Sequence, residues 1–204
     1  MMHREMLDEF RHLIPALPYI RGRRNPDSGI LRGVAWGLAM YRVVVRHGGS
    51  SQDTRELMHR RNRARLWRIP RVIRHGPGRR LFIRQQARVA RRSQARRYPG
   101  DWVMGVVDGD GESFDYGLDV TECGALKFLQ QQGAEELLPY ICDLDYVMAE
   151  AMGYELRRTK TLAWGCDRCD FRISMDGETA APWPPEFVER TCGEPETEEK
   201  TAMP

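Results

Sequence analysis

WVMGVVDGDGESFDYGLDV, residues 102–120, is the stretch that decides the fold of this chain. A short apolar run fills its first six positions, Asp108-Gly109-Asp110-Gly111 interrupts it, and from Ser113 polar and apolar residues alternate as far as Val120. Period-two alternation on one side of an Asp/Gly turn predicts a β-hairpin. Asp108, Asp110 and Glu112 lack the further ligands and the bidentate glutamate of a calcium loop, so they are read as turn chemistry.

Working outward, the C-terminal side predicts two helices, 122–132 and 138–152, the second with Pro139 in its first turn and Gly153 at its end. Two strands follow, 154–163 and 169–173, around a turn at 164–168. Thr159 and Thr161 are expected to share one face of the first strand, and Cys169, Phe171 and Ile173 one face of the second. On the N-terminal side Leu31, Val34, Ala35, Leu38, Ala39, Met40 and Val43 recur at helical spacing and predict a buried helix that stops near Gly48. Residues 51–54 offer an N-cap to an arginine-laced helix over 55–68, and a third helix is expected over 79–97. The fold class is therefore α+β: an antiparallel sheet, an N-terminal helical layer, and two helices between the hairpin and the last strands. One domain is expected over 1–176, helical to residue 100 and carrying the site from 101 onward. The Pro-rich and then acidic segment 177–204 is expected to be a tail.

With 204 residues, 41% of them apolar, the chain can build one sizeable core. The longest apolar run, 31–45, is broken by Arg32 and Arg42 and falls short of a membrane span. Arg4, Glu5, Asp8 and Glu9 stand where a secretory signal would need apolar residues, so a cytoplasmic location is expected. The net charge of +3 conceals an asymmetry: residues 1–100 hold 24 Arg and no Lys against 6 acids, and residues 101–204 hold 8 basic residues against 23 acids. A basic helical layer packed on an acidic layer accounts for this. A nucleic-acid-binding arm ranks last, because aromatic residues are scarce along the arginine-rich segment 55–97. The expected partner is a small-molecule substrate, with no membrane and no nucleic acid, and a homo-oligomer is left open.

Five cysteines are an odd count, and a reducing compartment would keep them as thiols. Cys166 and Cys169 have the spacing of half a zinc site. The remaining spacings fit no ordinary zinc module and no histidine lies near, so neither metal nor cofactor is expected. Cys142, placed in the first turn of the 138–152 helix, is expected to be a reactive thiol, since the positive helix end favours a thiolate. Its commoner alternative is a small buried hydrophobe. Asp143 and Asp145 supply carboxylates for proton transfer, and Tyr146 shares a helix face with Cys142 and Asp145. Arg157, Arg158 and Lys160 are candidates to clamp a substrate carboxylate.

Glu122-Cys123-Gly124, the run Leu138 to Asp145, the run Arg157 to Leu162, and Gly165 through Cys169-Asp170-Phe171-Arg172 resemble the L-2-amino-thiazoline-4-carboxylic acid hydrolase family over about residues 100–174. That resemblance implies hydrolytic opening of a small carbon–nitrogen heterocycle. The expected site places Cys142, Asp145, Asp143 and Cys169 in the chemistry and Glu122, Cys123, Tyr146, Arg157, Thr159, Thr161 and Asp170 around the substrate. The same block distantly resembles vinyl-reductase-type small-molecule-binding domains, in which cysteines and a glutamate can hold zinc. Cys142 and Cys169 stand where two of those cysteines would; Thr159 and Thr161 stand where the glutamate and another cysteine would, which argues against zinc. Two readings follow: a hydrolase in which Cys142 or a water attacks an sp² carbon, and a non-catalytic sensor or carrier of the same fold, with or without zinc.

Overall fold

The computed structural model describes residues 2–70, 77–175, 177, 179 and 192. The helical layer begins with α1 (Met2–Leu13), α2 (Asp27–Arg46), α3 (Ser51–Leu66) and α4 (Pro77–Ser93). Every apolar position that the sequence assigns to the buried helix is buried on α2, which packs with α1 and with Phe128 and Leu129 of α5 (Gly124–Gln131) in the largest core cluster. The α3 helix starts on a capping box: Ser50 accepts from the Asp53 N–H while the Asp53 carboxylate accepts from the Ser50 N–H.

The hairpin forms as expected. Strands β1 (Val103–Asp108) and β2 (Tyr116–Glu122) pair antiparallel with Asp108 opposite Tyr116. Asp110 organises the turn, its carboxylate accepting from the N–H groups of Glu112, Ser113 and Phe114. Strand β4 (Cys169–Ser174) then pairs with β2, and β3 (Glu155–Arg157) with the outer edge of β4, giving the order β1-β2-β4-β3 with every pairing antiparallel. The α+β class is as expected.

Two expectations are corrected. The strand expected over 154–163 lasts only three residues. The Asp170 carboxylate accepts from the N–H groups of Thr159 and Lys160 at 2.9 and 2.6 Å, so a side chain takes the place of ladder partners and the chain leaves the sheet. Consequently Thr159 is exposed while Thr161 is fully buried, and the two do not share a face. The helix expected over 138–152 is divided into α6 (Leu138–Cys142) and α7 (Leu144–Met152). Between them the Tyr146 N–H reaches the Asp143 carbonyl, and the Cys142 carbonyl accepts from Arg158 Nη2 at 2.9 Å.

One face of the sheet carries Met104, Leu118, Val120 and Cys169 against Ala90 of α4, and Leu156 and Ile173 against Ala149 and Met152 of α7. On the same strands Asp119 pairs with Arg172 at 2.8 Å and with Arg168 at 3.3 Å. The basic half meets the acidic half through Arg55–Asp143, Arg63–Glu150 and Arg96–Glu122. The five cysteines are not all thiols: Cys166 and Cys192 form a disulfide. Thr179 donates to the Tyr154 carbonyl and accepts from the Leu156 N–H. Among the described residues no helix is long and apolar enough to cross a membrane.

Asp27, in the first turn of α2, is 3% exposed, and among the described residues its Oδ2 has no hydrogen-bond partner. Burial, with Asp101 nearby, pushes its carboxyl from 3.8 up to about 7. The folded state therefore favours the neutral acid, and this contribution is complete below the unfolded value of 3.8 and lost as pH rises through about 7. Asp27→Asn, which stays neutral throughout, is expected to be more stable than the parent at pH 8, by on the order of 2 kcal/mol, with little gain at pH 4. Denaturant melts at the two pH values check this; an equal change at both would contradict it.

Candidate active site

Three of the four expected reactive residues, Cys142, Asp145 and Cys169, come together where the α6–α7 junction faces the sheet. Cys123 ends the β2 connection as N-cap of α5, its sulfur accepting from the Leu126 N–H at 3.5 Å. Cys169 opens β4 opposite Val120, and its sulfur lies 3.2 Å from the Leu162 N–H and 3.4 Å from the Thr161 hydroxyl. Cys142 closes α6 and packs, with Tyr146, against Trp164 and Cys166. Asp145, in the first turn of α7, accepts from Arg158 Nη1 at 3.1 Å. Cys142 feels the charge of Arg158, Cys169, Asp145 and Cys123, and Cys169 that of Arg158 and Asp145.

Arg158 is the organising residue. Its side chain is 1% exposed; the guanidinium lies 4.9 Å from the Tyr146 ring and 4.8 Å from the Phe171 ring while bonding the Cys142 carbonyl and the Asp145 carboxylate. Burial opposes its charge, yet Tyr146, Asp145 and Cys142 hold its pKa above the ordinary arginine value. From the sequence it is one of three clamp candidates with Arg157 and Lys160. The signal that singles it out is phase: Tyr154 and Leu156 are buried, and Arg158 continues their alternation.

The thiols are not acidic. Cys142 is the last residue of a five-residue helix, and burial raises its thiol well above the ordinary value, outweighing the attraction of Arg158. Burial pushes Cys123 up to about 12 and also raises Cys169, against the donors Thr161 and Leu162. This corrects the expected helix-end activation of Cys142: loss of hydration of the thiolate is the larger effect. Burial raises the Asp145 carboxyl as well, opposed by Arg158 and reinforced by Asp143. Asp145 nevertheless keeps 45% of its side-chain surface accessible. The carboxyl thus stands among packed side chains while still meeting water, and Cys123, Cys142 and Tyr146 are half-buried.

The remaining expected residues stand elsewhere. Asp143 is directed to α3, where its Oδ2 accepts from Arg55 Nε at 2.6 Å and meets His59 Nε2. Glu122 pairs with Arg96 and Lys127. Arg157 is exposed, pairing with Glu155 at 3.0 Å and bonding the Ser113 carbonyl. Asp170 is taken up by Thr159 and Lys160. Thr161 reaches the group only through the Cys169 sulfur. A hollow of about 230 Å³ on α3, lined by Arg55, Glu56, His59, Arg60 and Arg63, contains none of the thiols. With Cys166 in a disulfide, Cys166 and Cys169 do not act as a free CxxC pair.

The family model for L-2-amino-thiazoline-4-carboxylic acid hydrolase matches residues 37–173, more than half of the 204-residue chain, beginning inside α2 and ending in β4. The arginine-rich helices thus fall within the match, which the sequence resemblance placed only from about residue 100. No curated protein and no solved structure matches.

Proposed function

We propose a hydrolytic function for this chain, which belongs to the L-2-amino-thiazoline-4-carboxylic acid hydrolase family. Its substrate is a small heterocycle, and the bond opened is the C–N, or C–S, bond of a cyclic amidine or amide. The observation that carries this reading is the accessible Asp145 carboxyl held by buried Arg158 among three free thiols.

In the reaction, the Asp145 carboxylate accepts a proton from water as the water oxygen adds to the sp² ring carbon. Collapse of the tetrahedral adduct breaks the ring bond, and Asp145 returns the proton to the departing nitrogen or sulfur. Arg158 supports both stages, since its guanidinium favours the ionised carboxylate and fixes its direction. A carboxyl raised toward neutrality is a better proton shuttle near pH 7 than a free one. Cys123, Cys142 and Cys169 stand near Asp145 as neutral thiols.

Cys142 is the competing attacker. The raised thiol favours water, and the two routes separate cleanly in a variant. Purified protein supplied with L-2-amino-thiazoline-4-carboxylic acid is expected to consume the ring, and Cys142→Ser to retain activity within about tenfold, as suits a residue outside proton transfer. Loss of all turnover in a folded Cys142→Ser protein would replace water by the cysteine. Binding without turnover in the parent would favour the sensor reading.

A further inference from the structure

We propose that the Cys166–Cys192 disulfide is a redox-removable strap on the Trp164–Cys166 cluster that covers Cys142. It joins cysteines 26 residues apart in sequence, one before β4 and one near the end of the chain. A second bond reinforces it: the Cys192 N–H donates to the Trp164 carbonyl at 3.1 Å. Trp164 and Cys166 form a small buried cluster, and the residues packed against that cluster are Cys142 and Tyr146 of the candidate site. The strap therefore grips Trp164 and Cys166, the two residues against which Cys142 and Tyr146 pack.

The gripped segment is a short turn, closed at its base by the Trp164 and Cys166 N–H groups, which both donate to the Thr161 carbonyl. Its 3-10 turn Leu162–Trp164 ends at Gly165, which is exposed and has a φ of +78°. Glycine adopts that conformation without steric cost, and nothing stands within 4 Å of a Cβ placed there. On the N-terminal side the turn is held by Thr161, whose hydroxyl caps it at the Ala163 N–H. On the C-terminal side Cys169 is fixed in β4. To these anchors Cys192 adds a covalent tie to Cys166 and a hydrogen bond to the Trp164 carbonyl from outside the turn.

The two sulfurs differ in access, which sets the order of reduction. Cys192 is exposed and Cys166 is buried. A thiolate of a dithiol reductant attacks the Cys192 sulfur, the S–S bond breaks, and Cys166 leaves and takes up a proton. The second thiol of the reductant then attacks the mixed disulfide, releasing Cys192 as a thiol and the reductant as a cyclic disulfide. Two electrons pass from the reductant to the protein. The wall formed by Trp164 and Cys166 is then free to part from Cys142.

The effect on turnover rests on the hydrolase reading, whereas the effect on Cys142 does not. The full chain, oxidised with diamide or reduced with dithiothreitol and then freed of reagent, is pulsed with iodoacetamide at one pH. Mass spectrometry reads the modification rate of Cys142. At least a tenfold faster reaction is expected in the reduced protein. Cys192→Ser should react at the fast rate under both treatments, and circular dichroism checks its fold. If that variant does not fold, the reduced parent, checked in the same way, carries the comparison. Equal rates in oxidised and reduced parent overturn the proposal, as does failure of diamide to form the 166–192 bond. Turnover of L-2-amino-thiazoline-4-carboxylic acid is followed in parallel. Its absence in both states counts against the hydrolase reading alone, and the Cys142 contrast still decides the strap.

Discussion

Asp145→Asn is expected to lower kcat for ring hydrolysis by about 10²–10⁴-fold, the usual effect of removing a positioned general base. Asparagine keeps the shape and can still meet Arg158 Nη1 through its amide oxygen, so the contact is kept while the group that accepts a proton is lost. Stability should fall by roughly 1–3 kcal/mol, because Arg158, 1% exposed, keeps an amide acceptor but loses its counter-charge, so kcat is read on protein shown to be folded. The pH profile gives a second reading. Burial raises the Asp145 carboxyl, so the parent should lose activity with falling pH sooner than a free aspartate would allow, as the base becomes protonated. That acidic limb should vanish from the residual activity of the variant. A variant within threefold of the parent, with the limb intact, would remove Asp145 from proton transfer and leave the carboxylate a purely supporting role.

The hairpin and the buried α2 helix were legible because local pattern decides them: Asp110 organises its own turn, and α2 is flanked by protein on most of its apolar positions. The length of β3 was not legible, since the Asp170 carboxylate that draws Thr159 and Lys160 out of the ladder acts across ten or more residues. The same holds for Cys142. Its place near a helix start predicts an acidic thiol, but burial among Trp164, Cys166 and Tyr146 is a tertiary effect of larger size. The Cys142–Asp145–Tyr146 side of the site was readable from helical spacing. Asp143, one residue along, is carried to the α3 side, where Arg55 and His59 meet it. Arg158 lay within reach of a simple alternation argument, although nothing in the sequence indicates that its cation would be stacked over two rings.

Arg158→Ala is expected to cost about 3–5 kcal/mol of folding stability, a large part of the 5–15 kcal/mol typical of a single domain. Three losses combine. A long side chain only 1% exposed leaves a cavity beside Tyr146 and Phe171. The Cys142 carbonyl loses its guanidinium donor at the break between α6 and α7. Asp145 loses the cation that opposes its burial, so its carboxyl should rise further. Arg158→Met separates these effects: its flexible apolar chain refills much of the space and should recover part of the stability. It restores neither the donor nor the charge. Hydrolysis by Arg158→Met should accordingly remain impaired near neutrality and recover in part as pH rises, because more of Asp145 is then ionised. Urea melts of both variants and a pH–rate profile of Arg158→Met read these outcomes. If Arg158→Ala melts within 1 kcal/mol of the parent, the guanidinium is not what holds the α6–α7 junction to the sheet.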